Sequence, residues 1–330
     1  MSKFSNFYPS ATGTGFPFTG SAEVTGSVDV AGSVQFGYDN LTTVGAWSTG
    51  DPMIVGRMSL GGFGTQAAAL GFGGGTPAIT NSTEAYNGVV WNTGNVLSTA
   101  RSYLAGAGTQ TAGVAFGGAT PVVSNATEEW SGASWVSAPG NMITARPQLA
   151  GVGTQSSALA FGGSGASPVT EEYNGAVWNA GGPLITGRSF LSGAGTQTAA
   201  LAFGGGSTEE YNGVAQTWSS APSNLITSRV FLAGSGTQTA ALAFGGNGSP
   251  AGATEEYNSG TWSAAPANLI TGRRSLAGAG TQTSALAFGG YIAGVGRPGN
   301  TEEWVVTTVA PPTTGGAWSV GGNLAIARRF

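Results

Sequence analysis

The chain repeats itself, and the repeat limits what it can fold into. The stretch RSFLSGAGTQTAALAFGGGSTEEYNGVAQTW at 188–218 recurs with its leading arginine at Arg57, Arg101, Arg146, Arg188, Arg229 and Arg273. Successive copies lie 41 to 45 residues apart. A fixed period of this length with strand-like content means a repeat fold in which each unit is one blade or layer. Inside every unit the ruler is constant. The glycine of GTQ falls seven residues after the arginine, and the phenylalanine of FGG eight after that. Only the stretch beyond the glycine pair varies much in length.

Each unit reads as four short strands. The first follows the arginine and ends at the GTQ turn. The second, TAALAF at 198–203, is apolar at nearly every position, as in a strand covered on both faces. Its small residues let neighbouring sheets come close. The third is TEEY, closed by Asn212-Gly213, a tight-turn pair because both residues tolerate positive φ. The fourth is centred on Trp218. Four antiparallel strands per unit, stacked radially, make a propeller blade.

These marks resemble the kelch repeat: an arginine, an apolar strand ending in Gly-Gly, then Tyr, then Trp. Tyr173 with Trp178 and Tyr257 with Trp262 keep its spacing, while Trp130 and Trp304 replace the tyrosine in two units. The resemblance covers roughly residues 40–330 and implies an all-β, kelch-like propeller of four-stranded blades. It implies no one function, because such propellers host enzymes, scaffolds and adhesins alike.

Seven tryptophans end a unit-like stretch (Trp47, Trp91, Trp135, Trp178, Trp218, Trp262, Trp318), against six GTQ strands. The expectation is seven blades, with a partial N-terminal unit completed by residues 21–38; six blades with an N-terminal extension is the alternative. The division is 1–38, an aromatic arm (Phe4, Phe7, Tyr8, Phe16, Phe18) and a TGSAEV-TGSVDV-AGSVQF segment, followed by a propeller over 39–330. The arm reads as an anchor or as part of a first blade. Arg328 and Arg329 are expected where the ring closes.

Antiparallel order sorts the loops. The arginines, the start of each Glu pair and the variable loops 75–83, 119–127, 164–170, 206–208, 247–254 and 291–301 share one face. The GTQ and Asn-Gly turns share the other. Variable loops on one rim often carry binding. Two residues after each arginine stand Ser59, Tyr103, Gln148, Phe190, Phe231 and Ser275. Tyr103, Phe190 and Phe231, with Tyr291 and Arg297 of the longest loop, are the candidate binding residues.

Charged residues make up only 8% of the chain, against about 25% in typical proteins, and nearly all recur with the repeat. Charges this sparse in an apolar fold are expected to pair, since a buried unpaired charge is costly. Arg57, Arg101, Arg146, Arg188, Arg229 and Arg273 are therefore matched with Glu84, Glu128, Glu171, Glu209, Glu255 and Glu302 as a structural ring. The second Glu of each pair points to the other side of the blade, towards a neighbour.

Enzyme readings find little support. With no His and no Cys, the copper site of the kelch-like oxidase cannot be carried over, nor can a Ser-His-Asp triad. GFGGGT lacks the lysine of a phosphate loop and precedes no helix. A two-carboxylate glycosidase survives only formally, so no enzyme, cofactor or metal is expected. A net charge of −4 without a basic stripe speaks against nucleic acid. No apolar run spans a bilayer, and MSKFSNFYPS does not read as a signal peptide.

The wording of the repeat, GAGTQTAALAFGG followed by TEEYNG, and the TGSxxV stretch resemble virion proteins of tailed bacteriophages of marine bacteria and cyanobacteria. That resemblance implies a fibre, appendage or capsid decoration protein, assembled in the host cytoplasm and located in the virion. Through its N-terminal arm it would meet other virion proteins, and homo-oligomers are possible. Its outward partner would be a host-surface glycan or protein. A bacterial extracellular lectin-like module is the alternative.

Overall fold

Blades that are apolar on both faces must be covered on both faces, and a ring of blades does this without leaving an end. The computed structural model describes residues 42–309. They form six four-stranded antiparallel sheets around one axis, with no helix among the described residues. In blade one the strands run outward from the axis as Gly61–Thr65, Ala68–Phe72, Thr83–Tyr86 and Trp91–Gly94. Blades two to five repeat this order. Blade six takes Ala277–Gly280, Ser284–Phe288 and Thr301–Val309 from the last unit, and its outermost strand from the other end of the chain, Thr42–Gly50. Trp47 lies opposite Trp304 there, as Trp178 lies opposite Tyr173 in blade three.

This corrects the expected seven blades to six. Trp47 does not complete a first blade from residues 21–38; it closes the last one. The cause is a circular offset, in which the described residues begin with a fourth strand, so the order of units along the sequence miscounts the blades. Residues 1–38, Trp318, Arg328 and Arg329 lie outside the described residues.

The core is divided into six apolar clusters, one at each blade-to-blade interface. Each FGG phenylalanine packs edge-on or tilted against the tryptophan of the following blade, as Phe116 does on Trp178 with ring centroids 4.9 Å apart. It also lies against the inner-strand glycine of that blade. A Cβ on Gly106 would meet Phe72 Cζ at 2.6 Å, so this position admits no side chain.

Polar groups repeat around the ring with the same regularity. Each fourth-strand tryptophan donates from its indole to the threonine at the start of the third strand of the preceding blade: Trp91 to Thr301, Trp135 to Thr83, Trp178 to Thr127, Trp218 to Thr170, Trp262 to Thr208 and Trp47 to Thr254. The glutamine of GTQ reaches back as a clamp. Gln110, for instance, donates from one amide nitrogen to the carbonyls of Ala69 and Tyr86, and Gln66 closes the ring on Ala285 and Trp304.

In four of the five Glu pairs the second Glu meets a tyrosine hydroxyl of the next blade, not a charge. Tyr86, Tyr173, Tyr211 and Tyr257 donate to Glu303, Glu129, Glu172 and Glu210. Burial first, and then the adjacent carboxylate, raise all four tyrosines above the ordinary tyrosine value. A hydroxyl whose folded-state pKa is raised keeps its contribution below the unfolded pKa, near 10, and loses it as pH rises beyond that. Alkaline titration followed by tyrosinate absorbance should therefore show four tyrosines that ionise only as the protein unfolds. Melting temperature should fall from about pH 10 upward. Four freely titrating hydroxyls in the folded state would contradict these bonds.

Candidate functional site at the axial mouth

Both the arginines and the residues two places after them stand on the variable face. The arginines are occupied structurally. Arg57–Glu84, Arg101–Glu128, Arg146–Glu171, Arg188–Glu209, Arg229–Glu255 and Arg273–Glu302 form six ion pairs, each within its own unit and each buried. Every one of these carboxylates also accepts a backbone N–H from the segment just before the arginine, as Glu128 does from Ser98 at 2.7 Å. The guanidinium groups also donate to backbone carbonyls, Arg101 to Gly117 O and Ala126 O, while the Nε of Arg57, Arg101, Arg188 and Arg229 has no partner. Such carboxylates are committed to holding the blades and are poor candidates for acid–base work.

Nearer the axis, the backbone makes a closed circle. Tyr103 N donates to Ser59 O, Gln148 N to Tyr103 O, Phe190 N to Gln148 O, Phe231 N to Phe190 O, Ser275 N to Phe231 O and Ser59 N to Ser275 O, at 2.8–3.0 Å. All six residues take positive φ, between 54° and 65°. Elsewhere this chain meets positive φ with glycine at 26 positions and with another residue at only three, among the described residues. The circle excludes glycine at every place. A left-handed non-glycine residue costs about 1–3 kcal/mol and persists where the surroundings over-determine it.

Directly below lies a second circle, Leu60, Leu104, Leu149, Leu191, Leu232 and Leu276, all buried. With the inner strands these leucines surround a cavity of about 210 Å³ along the axis, while their side chains pack between blades, as Leu104 does against Gly73.

The side chains at the mouth are unequal. Phe190 and Phe231 stack with centroids 3.9 Å apart, and Tyr103 meets Phe190 edge-on at 5.8 Å. Ser59 and Ser275 leave the remaining side free of large groups, and Ser59 Oγ is buried with no hydrogen-bond partner. Tyr291 joins the cluster through Arg274. The two residues bridge backbone to backbone, and the exposed Arg274 guanidinium lies 5.7 Å from the Phe231 ring centre and 5.1 Å from that of Tyr291. Arg297 sits elsewhere: its carbonyl lies beside Gly56, and its Nε is buried without a partner. Of the five sequence-derived binding residues, the mouth therefore gathers Tyr103, Phe190, Phe231 and Tyr291.

Arg274 escaped the sequence reading. Its signal is the doublet Arg273-Arg274, at a place where other units carry Met58, Ser102, Pro147, Ser189 and Val230.

No protein-family model matches the chain, and comparison with curated proteins gives no match. The fold and the site therefore rest on the chain's own residues.

The ring makes a stability prediction. Ser275→Gly removes little packing and relieves the left-handed geometry, so it should stabilise by about 0.5–1 kcal/mol in chemical denaturation. A clear loss would mean that the serine side chain itself holds the ring.

Proposed function

We propose that this chain is a non-enzymatic recognition and structural component of a tailed-phage particle, with a kelch-type propeller as its rigid body. It is a fibre or appendage that contacts the host surface, or a capsid decoration protein. The observation that carries the reading is the opposition of two faces. The paired strands Thr42–Gly50 and Thr301–Val309 are nine residues long, while the third strands of other blades have four to six. They run past the GTQ turn of blade six, with Thr42 opposite Val309 at their far end. The chain thus enters and leaves the propeller on the conserved-turn face, opposite the aromatic mouth. An anchor on one face and an aromatic mouth on the other suit a part that is held from behind and reads what lies in front.

Two further features support it. The repeat and the TGSxxV segment resemble phage virion proteins, and the first Glu of every pair is consumed by an arginine. Particles purified from infected cells and analysed by mass spectrometry should contain the chain. Particles carrying Phe231→Ala should assemble normally but adsorb poorly to host cells. Its absence from particles, with secretion from bacterial cells instead, would overturn the reading in favour of an extracellular lectin-like module.

A further inference from the structure

Eight arginines lie among the described residues, and six of them are in the buried pairs. Arg274 has no carboxylate partner among the described residues, and it is exposed at the rim of the mouth. Its guanidinium lies over two aromatic rings. Stacking on rings uses the faces of a guanidinium and leaves its edge N–H groups free, which is the edge that fits a carboxylate bidentately.

The surroundings are as uneven as a binding site requires. At the bridge that holds Arg274 to Tyr291, the other units place Met58 with Gly75 and Ser102 with Ala119. Only blade six brings a cation and an aromatic to this place. Phe231 and Phe190, half-buried and stacked on each other, continue the aromatic cluster. Ser59, Ser275 and Gln148 supply hydroxyl and amide groups, and the Ser59 hydroxyl lacks any partner although the residue is only 8% exposed.

An apolar ring face, a few hydroxyl and amide groups and one free guanidinium edge together match a pyranose ring bearing a carboxylate. The C–H face of such a ring covers an aromatic side chain, its hydroxyls take the polar groups, and its carboxylate neutralises the cation. We infer that the axial mouth binds an acidic saccharide of the uronic- or sialic-acid type, with Arg274 on the carboxylate and the half-buried Tyr103–Phe190–Phe231 cluster against the apolar side of the sugar. This rests on the reading of the mouth as the recognition face and names its ligand class.

The test uses the full chain in calorimetric titration against galacturonate, mannuronate, guluronate and N-acetylneuraminate oligosaccharides, each beside its carboxyl-reduced counterpart. At least one acidic form should bind, with its reduced counterpart about tenfold weaker or worse. Arg274→Ala should bring the acidic form down to the level of the reduced one. Arg297→Ala should leave both unchanged, and an unaltered melting temperature would show that Arg274→Ala still folds.

Equal binding of acidic and reduced sugars, both lost in Phe231→Ala and untouched by Arg274→Ala, would overturn the acidic class and leave the recognition face standing. Tighter binding of a poly-glutamate peptide or of inorganic phosphate than of any saccharide would overturn the saccharide. No binding of any of these, with host adsorption unaffected by Phe231→Ala, would overturn both the ligand class and the recognition face.

Discussion

Arg101→Ala should lower the unfolding free energy by about 3–5 kcal/mol, the cost of leaving one partner of a buried ion pair alone. The side chain is fully buried, and its removal strands the Glu128 carboxylate with the Ser98 N–H and orphans the carbonyls of Gly117 and Ala126. Burial pushes the guanidinium below the ordinary arginine value and Glu128 pulls it back, so the pair is one unit and its halves are not separable. Arg101→Lys should recover part of the loss, because an ammonium keeps the charge but not the planar fork. The double variant Arg101→Met with Glu128→Gln should be more stable than Arg101→Ala, since no bare charge remains. Urea denaturation of the three variants checks the order. An Arg101→Ala protein with an unchanged midpoint would show that the ring of ion pairs contributes nothing.

A second large effect is expected from the N-terminal side. A chain beginning at Asp51 lacks the strand Thr42–Gly50, and with it Trp47, its indole bond to Thr254 and its packing on Phe244. Along Thr301–Val309 it leaves a nine-residue strand edge unpaired, and an exposed edge of that length invites pairing with other chains. Such a chain should aggregate or lose its cooperative melt, whereas one beginning at Asp39 should melt as the full chain does. Adding a peptide of residues 42–50 in trans should restore solubility, because an extended segment can take the vacant place by strand addition. Indistinguishable melts from Asp51 and Asp39 would mean that the blade does not depend on its outer strand.

Much of the fold was legible because each blade is the same solution written six times. The strand order, the two faces and the match of Arg188 with Glu209 follow from spacing and from the cost of burying charge. What stayed hidden depends on partners in the next blade. Gln110 reads as a turn residue, yet its amide is a clamp on carbonyls that no local pattern announces. Ala85 and Trp130 look like unrelated departures from the TEEY consensus, but they face the same interface, where both halves of the usual Glu–Tyr bond are replaced. The six left-handed residues of the axial circle carry no glycine to mark them. Trp47 was assigned to the wrong blade because sequence order says nothing about which sheet a terminal strand will join.

That last strand also sets a timetable. Ser48 and its hydrogen-bond partner Glu303 are 255 residues apart, so blade six cannot form until almost the whole described chain has been synthesised. Blades one to five can be laid down in order from local hairpins, while Thr42–Gly50 waits without its neighbour. The slowest contact, by sequence separation, is thus the one that completes the circle. A ribosome that stops early releases a chain with an unmatched strand and an open interface, the kind of product that chaperones and proteases intercept. Closure by the first strand on the last therefore works as a completeness check, and a finished ring certifies that its chain was read through at least to Val309.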